Sequence, residues 1–399
     1  MKYFSSKTLL PLLAVATLAP NAFAESAVAD GVSNALAKSK VIINFRARYE
    51  GVSQDGKDDA SALTLKSRLT VNSGAYNGLS LGVEVDNNTA IVNNYNDLTN
   101  SYSGNEAVVA DAEYTDVNQA FVKYTNNKFS LKAGRQRINH DGQRFVGGVG
   151  WRQNEQTYDG YRFQFKATDK LNFDYTYVYN VNRIFAADSK KADNLGGNLH
   201  LANVAFKLNK QNKFSGFAYV LDFDKAAALS SSTYGIAYNG KFGAVKVNAS
   251  YASQSDNGNN PNNYSADYYS VDAGTKVGSF NLKAGIEVLG SDNGVGFATP
   301  LATLHKFNGF ADKFLGTPGN GLEDIYITAV TKVKGVKLVA TYHDLSSDVN
   351  NVNYGTELDL VAAYKVNKHY SLLAKYANYS ADSFSVDTDK LWLMVSAKF

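Results

Sequence analysis

The segment Asp389 to Phe399, D-K-L-W-L-M-V-S-A-K-F, constrains the chain more than any other stretch. Leu391, Leu393, Val395, Ala397 and Phe399 occupy one parity; Lys390, Trp392, Met394, Ser396 and Lys398 occupy the other. Alternation at period two marks a strand with one apolar and one polar face. An apolar strand of this kind left at an open sheet edge invites uncontrolled pairing, so it belongs in a closed sheet.

The same alternation recurs along the chain. Val41, Ile43, Phe45 and Tyr49 alternate with Asn44, Arg46, Arg48 and Glu50. Leu63, Leu65, Leu69 and Val71 follow, then Leu79, Leu81, Val83 and Val85. Later rows include the aromatic Phe173, Tyr175, Tyr177 and Tyr179. Tight turns are predicted at 73–77, Asn126-Asn127, Thr168-Asp169, Lys210-Gln211, Asn239-Gly240, Gly278-Ser279, Lys334-Gly335 and Asn367-Lys368. Eight short turns join nine hairpins, which predicts an all-β antiparallel barrel of about eighteen strands, with sixteen as the alternative. Short turns alternating with long polar loops, such as 87–114, are the layout of transmembrane β-barrels, whose long loops lie outside the cell.

The N-terminus fits export. Lys2 and Lys7 precede the apolar run Leu9 to Ala19, and Ala22-Phe23-Ala24 offers a small-x-small cleavage site. Such a run is too short to span a bilayer, which takes about twenty apolar residues, so residues 1–24 read as a signal peptide. Residues 25–40 read as a periplasmic lead-in and 41–399 as the outer-membrane barrel. Without the two leader lysines the formal charge falls from +3 to about +1, so net charge says nothing about partners, and no nucleic-acid partner is expected. Cysteine is absent, which removes disulfides and thiolate metal sites. The 26 Tyr and 22 Phe suit strands with aromatic girdles at both membrane interfaces. A terminal Phe after alternate apolar residues resembles the closing strand of bacterial outer-membrane barrels. That resemblance implies that Leu391, Leu393, Val395, Ala397 and Phe399 are read by the barrel-assembly machinery. Outer-membrane lipid and lipopolysaccharide are the other expected partners.

An eighteen-strand barrel is too wide for wall side chains to fill, so a water-filled pore is expected. All nine arginines lie between Arg46 and Arg183. Guanidinium stays charged and grips carboxylate or phosphate with two parallel donors. Arg46, Arg48, Arg68, Arg135, Arg137, Arg144, Arg152 and Arg162 are therefore candidate pore residues that favour anions. The bland reading has them neutralise lumen acids such as Glu50, Glu84 and Asp86. His140 to Gly150, rich in glycine, reads as a third extracellular loop able to fold inward. Strict alternation from Phe129, Leu131 and Ala133 sends Arg135 and Arg137 outward. Either Gly134 marks a bulge that reverses the register, or both sit at the outer rim near lipopolysaccharide phosphates.

Residues 118–124 (N-Q-A-F-V-K-Y), 134–137 (G-R-Q-R), 150–159 (G-W-R-Q-N-E-Q-T-Y-D) and 299–314 with Thr317-Pro318 resemble the alginate-export porin family. The resemblance implies an eighteen-strand monomeric channel whose arginine-lined passage conducts a polyuronate. The compact loops of this chain point instead to a plain porin for small or polymeric anions. Leu301, Leu304, Phe307, Phe310 and Phe314 recur at near-helical spacing inside the long loop 291–320. They predict a segment that caps the mouth or dips into the lumen to narrow it, or a short helix packed on its own loop.

No catalytic or cofactor motif accompanies these features. His140, His200, His305, His343 and His369 show no metal-binding spacing, and the Asn-rich 255–263 lacks the acid spacing of a calcium loop. A barrel enzyme needs a nucleophile or a held water beside His and a carboxylate, and no such constellation is present. A weakly selective pore for neutral solutes is the alternative within the channel class.

Overall fold

The computed structural model describes residues 27–399. The proposed signal peptide lies outside the described residues. A helix, α1 (Ala27–Ala37), precedes the barrel. The strands are β1 (Lys40–Gln54), β2 (Ala60–Asn72), β3 (Leu79–Asn94), β4 (Tyr114–Thr125), β5 (Phe129–Gln136), β6 (Thr157–Lys166), β7 (Leu171–Asn182), β8 (Asn194–Lys207) and β9 (Lys213–Phe223). They continue as β10 (Ser231–Phe242), β11 (Val245–Asp256), β12 (Ser265–Val277), β13 (Phe280–Leu289), β14 (Leu322–Val333), β15 (Val336–Ser346), β16 (Asn353–Lys365), β17 (Tyr370–Ala381) and β18 (Thr388–Lys398).

Among the described residues these eighteen strands form one sheet in which each pairs antiparallel with its neighbours in sequence. β1 pairs β18 from Asn44↔Lys398 to Gln54↔Thr388, which closes the barrel. Phe399 N donates to Ile43 O at 2.9 Å and Ile43 N to Phe399 O at 3.1 Å. Closure leaves no edge strand, the condition for a sheet in lipid. Leu391, Leu393 and Val395 are exposed on the outer face, while Trp392 between them is buried in the lumen. Val41, Ile43, Phe45, Leu69, Leu79 and Leu81 extend the exposed apolar row around the wall.

Two expectations change, and one element is added. The Asn239-Gly240 turn lies inside β10, and the chain reverses at Gly243-Ala244, where Gly243 takes φ +58°. Asn239 instead donates to Asn248 at 3.0 Å across the ladder. β3 runs on to Asn94, so the loop after it spans only 95–113. The lead-in is partly helical: α1 packs under the 73–78 turn, where Gly74 N donates to Ala35 O at 2.9 Å.

The lumen is not left to water. The loop after β5 (137–156) and the loop after β13 (290–321) both fold inward and meet. Gly147 N donates to Leu301 O at 2.9 Å and Thr303 N to Gln143 O at 3.0 Å. Around this seam Ile138, Val146, Tyr158, Leu301, Phe314 and Trp392 join a buried apolar core inside the barrel. The 95–113 loop adds a smaller core through Tyr95, Ala107 and Val109. Leu301–Phe314 forms no α-helix; only Leu304–Lys306 makes a 3-10 turn.

Candidate permeation site

The inward parity of β1 and β2 delivers Arg46, Arg48 and Arg68 to the 137–156 loop. Arg46 donates to Gln153 Oε1 at 2.8 Å, to Gly150 O at 3.0 Å and to Arg152 O. Arg48 donates to Asp111 at 2.8 Å and to Trp151 O, with its guanidinium 4.3 Å from the Trp151 ring. Arg68 grips Asp86 with two bonds of 2.6 Å and reaches Glu155 at 3.0 Å. Glu155 also takes Arg137 at 2.7 Å and lies 3.9 Å from Lys66. Burial alone raises a carboxyl pKa, but Lys66, Arg68 and Arg137 outweigh it and hold Glu155 well below the usual carboxylate range.

Arg152 meets Glu50 at 2.9 Å and Asp312 at 3.0 Å, which ties the first inward loop to the second. Arg144 reaches the far wall, donating to Glu287 at 2.7 Å, and lies 4.8 Å from the Phe307 ring. Arg162 is paired with Asp174. Seven of the eight candidate arginines are thus engaged by carboxylates, and among the described residues Arg46 has none within 4 Å.

Arg135 and Arg137 part company. The β4–β5 ladder runs unbroken through Ala133↔Val122, Gly134↔Phe121 and Arg135↔Ala120, so Gly134 reverses nothing. Arg135 shares the outward parity of exposed Leu131 and is held by Asp159 at 2.9 Å, beside Asp116 at 3.6 Å. It is a rim residue rather than a pore residue. Arg137 lies past the end of β5, where the chain leaves the wall, and turns inward to Glu84 at 2.9 Å. Gly134 has its own reason: with φ +114°, a Cβ there would lie 2.3 Å from Ala120 O.

The 301–314 segment sits in the lumen. Leu301 and Phe314 are buried, and Phe314 stacks on Phe384 at 5.0 Å. Leu304 is half-buried in the 3-10 turn. Ala311 N donates to Glu357 at 2.6 Å and Phe310 N to Asp359 at 3.1 Å, so the wall strand β16 holds the loop by its backbone.

Sequence reasoning missed the clasp that joins both loops to β17 and β18. Trp151 stacks on His305 at 4.5 Å and 8°, with Trp392 edge-on at 5.7 Å from Trp151. The Lys375 ammonium lies 2.9 Å from the Phe310 centroid and 4.2 Å from Trp151, and donates to His305 Nε2 at 2.7 Å. Asp312 receives His305 Nδ1 at 2.6 Å and Lys390 at 3.2 Å. Burial pushes the His305 pKa down to about 3, against the pull of Asp312. One signal was available: Trp392 stands on the polar parity of β18, where a lumen partner was needed.

Two spaces remain beside the clasp. On the turn side, a vestibule of about 490 Å³ is lined by Arg46, Lys66, Arg68, Arg137 and Lys398 against Glu84 and Glu155. Under β10–β15, a second chamber of about 610 Å³ mixes acids, lysines, hydroxyls and aromatic faces.

Known proteins share this architecture. Residues 41–202 match the alginate export family. No curated protein sequence matches the chain. Acinetobacter baumannii OccAB4 superposes with a TM-score of 0.69 at 14% identity, over 90% of this chain and 98% of that one. Pseudomonas aeruginosa OccK3 (OpdO) gives 0.71 at 14% identity, over 94% and 99%. Pseudomonas aeruginosa OpdK, solved with vanillate, gives 0.70 at 15% identity, over 91% and 99%. Over residues 41–202 the chain carries the sequence pattern of the alginate export family, and its eighteen-strand barrel has the fold of the outer-membrane porins.

Proposed function

We propose that the protein is a passive outer-membrane diffusion channel that favours small or polymeric anions, carboxylates above all. The turn-side vestibule carries this reading: its five cations face Glu84 and Glu155, with Asp86 behind Lys66 and Arg68, and Arg46 is free of any carboxylate partner. A cationic lining in a narrow, low-dielectric passage concentrates anions. OpdK, solved with vanillate, supports carboxylates as the solute class. The other arginines act mainly on the protein itself, fixing the inward loops. In this reading residues 1–24 are removed on export, residues 25–40 lead into the barrel, and the chain works as a monomer. The outward row Leu391, Leu393, Val395, Ala397 and Phe399 is what the barrel-assembly machinery reads.

Reversal potentials in a salt gradient across planar bilayers test the anion preference. The wild-type potential is expected to lie toward the chloride value. The Arg46→Gln, Lys398→Gln double variant, verified as folded by heat-resistant migration, is expected to move it toward zero. An unchanged potential removes the vestibule from selectivity.

A further inference from the structure

The chamber under β10–β15 holds a row of inward residues that the anion reading does not use. Asn239, Asn248, Asp272, Gly285 and Tyr326 are successive register partners across five strands, β10 to β14. Asn239 donates to Asn248 at 3.0 Å, Asn248 to Asp272 at 2.8 Å, and the Tyr326 hydroxyl to Asp272 at 3.5 Å. The missing side chain at Gly285 makes the last contact possible. A Cβ there would lie 2.6 Å from Tyr326 Cζ and 2.8 Å from Asp272 Cβ. The ring therefore lies across the glycine, along the wall rather than out into the lumen. Lys283 Nζ lies over the ring, 4.7 Å from its centroid and 3.9 Å from the Asp272 carboxylate, at the end of a side chain that is 40% exposed and is displaced when a ligand covers the ring. One step toward the turns, Thr328 and Thr341 share a hydrogen bond of 3.1 Å, and Phe307 of the inward loop faces the same chamber.

An aromatic face bracketed by a carboxylate, amides and an ammonium suits a ligand with one apolar C–H face and a rim of hydroxyls. The apolar face covers the ring while the hydroxyls bridge donors and acceptors on either side. The chamber lining is close to charge balance, with five carboxylates against four Lys and Arg side chains. A carboxylate at the platform edge also disfavours an anion. We propose that this row is a binding site for a neutral pyranose sugar, stacked on Tyr326 with its hydroxyls shared between Asp272 and Lys283. The site stands independently of the anion preference of the vestibule and needs only that solute reaches the chamber.

The test is calorimetric titration of maltose, and separately of galacturonate, into the folded barrel in detergent micelles, so that no step depends on conduction. Maltose is expected to bind more tightly than galacturonate. Tyr326→Ala is expected to weaken maltose by about tenfold, and Gly285→Ala likewise, because its methyl group displaces the ring while every polar group remains. Tyr326→Phe keeps the platform and is expected to stay within about threefold of wild type. Heat-modifiable migration confirms that each variant is folded. Where Tyr326→Ala does not fold, the Gly285→Ala and Tyr326→Phe pair decides. The proposal is overturned by absence of maltose binding, by tighter galacturonate binding, by a folded Gly285→Ala equal to wild type, or by Tyr326→Phe as weak as Gly285→Ala.

Discussion

The two sides of the lumen use different cations, and they use them differently. From β1 to the loop after β7 the chain has all nine arginines, and most are forked onto carboxylates or loop carbonyls. From β8 onward it has only lysine. Lys375 and Lys390 are drawn into the clasp, whereas Lys283 and Lys306 stay at the edge of the chamber beside aromatic rings. A planar fork with five donors satisfies several acceptors at once and so fixes a loop in place. A single ammonium on a flexible stem holds less and moves more easily. The arginine side reads as scaffold with a charged vestibule beneath it, and the lysine side as a lining open to solute.

The contrast breaks most directly by removing the clasp. Replacing 301–314 with a short Gly/Ser linker is expected to raise single-channel conductance severalfold. A conductance equal to wild type places the segment outside the permeation path. Arg152→Ala comes next. It strands the buried carboxylate Glu50, a type of loss that costs about 3–5 kcal/mol, and leaves Asp312 with His305 and Lys390 alone. Limited proteolysis is expected to cut within 137–156 or 290–321 well before it cuts wild type. Lys283→Ala, whose side chain is 40% exposed, is expected to change stability by no more than about 0.5 kcal/mol. Equal protease resistance in the two variants erases the distinction between scaffold and lining.

Acid gives the smallest and most gradual effect. His305 is held neutral, with its folded pKa pushed down to about 3 against about 6.5 in an unfolded chain. Its contribution is fully present above about pH 6.5 and is lost as pH falls toward about 3. Glu155, held ionised by its cationic neighbours, contributes above the ordinary carboxylate pKa, and that contribution is also lost as pH falls. On acidification the first loosens the clasp and the second loosens the anchorage of the 137–156 loop that carries Trp151. The chain has two tryptophans, Trp151 and Trp392, and both lie in the clasp, so its emission is a local reporter. A red shift between about pH 6 and pH 3 is expected, and His305→Asn should flatten it. An emission that does not move over that range shows the clasp to be insensitive to these groups.

The barrel was legible because alternation is a local property. Eighteen strands and the outward row of β18 follow from period two and turn residues alone. Partners across the lumen were not legible, because nothing near Arg68 in sequence marks Glu155, or near Arg152 marks Asp312. Arg135 and Arg137 show the limit well. The same two-residue spacing yields one outward and one inward side chain, because β5 ends at Gln136 between them. Tyr326 was passed over because its platform depends on a glycine on the neighbouring strand. The helix in the lead-in was missed because its packing partner, the 73–78 turn, lies some forty residues away.

The wall and the clasp differ in how far along the chain their contacts reach. Each wall pairing but the closing one joins neighbours in sequence and closes a small loop. The clasp joins β1 to the 137–156 loop, that loop to Leu301 across 145 positions, and Arg152 to Asp312 across 160. Long closures are entropically unfavourable until the ends are already near each other, and here only a completed wall brings them near. The order of folding is therefore built into the connectivity: hairpins first, ring second, clasp last. Until β18 pairs with β1, Trp392 and Lys375 have no fixed place opposite Trp151 and His305, so the clasp waits on closure of the wall.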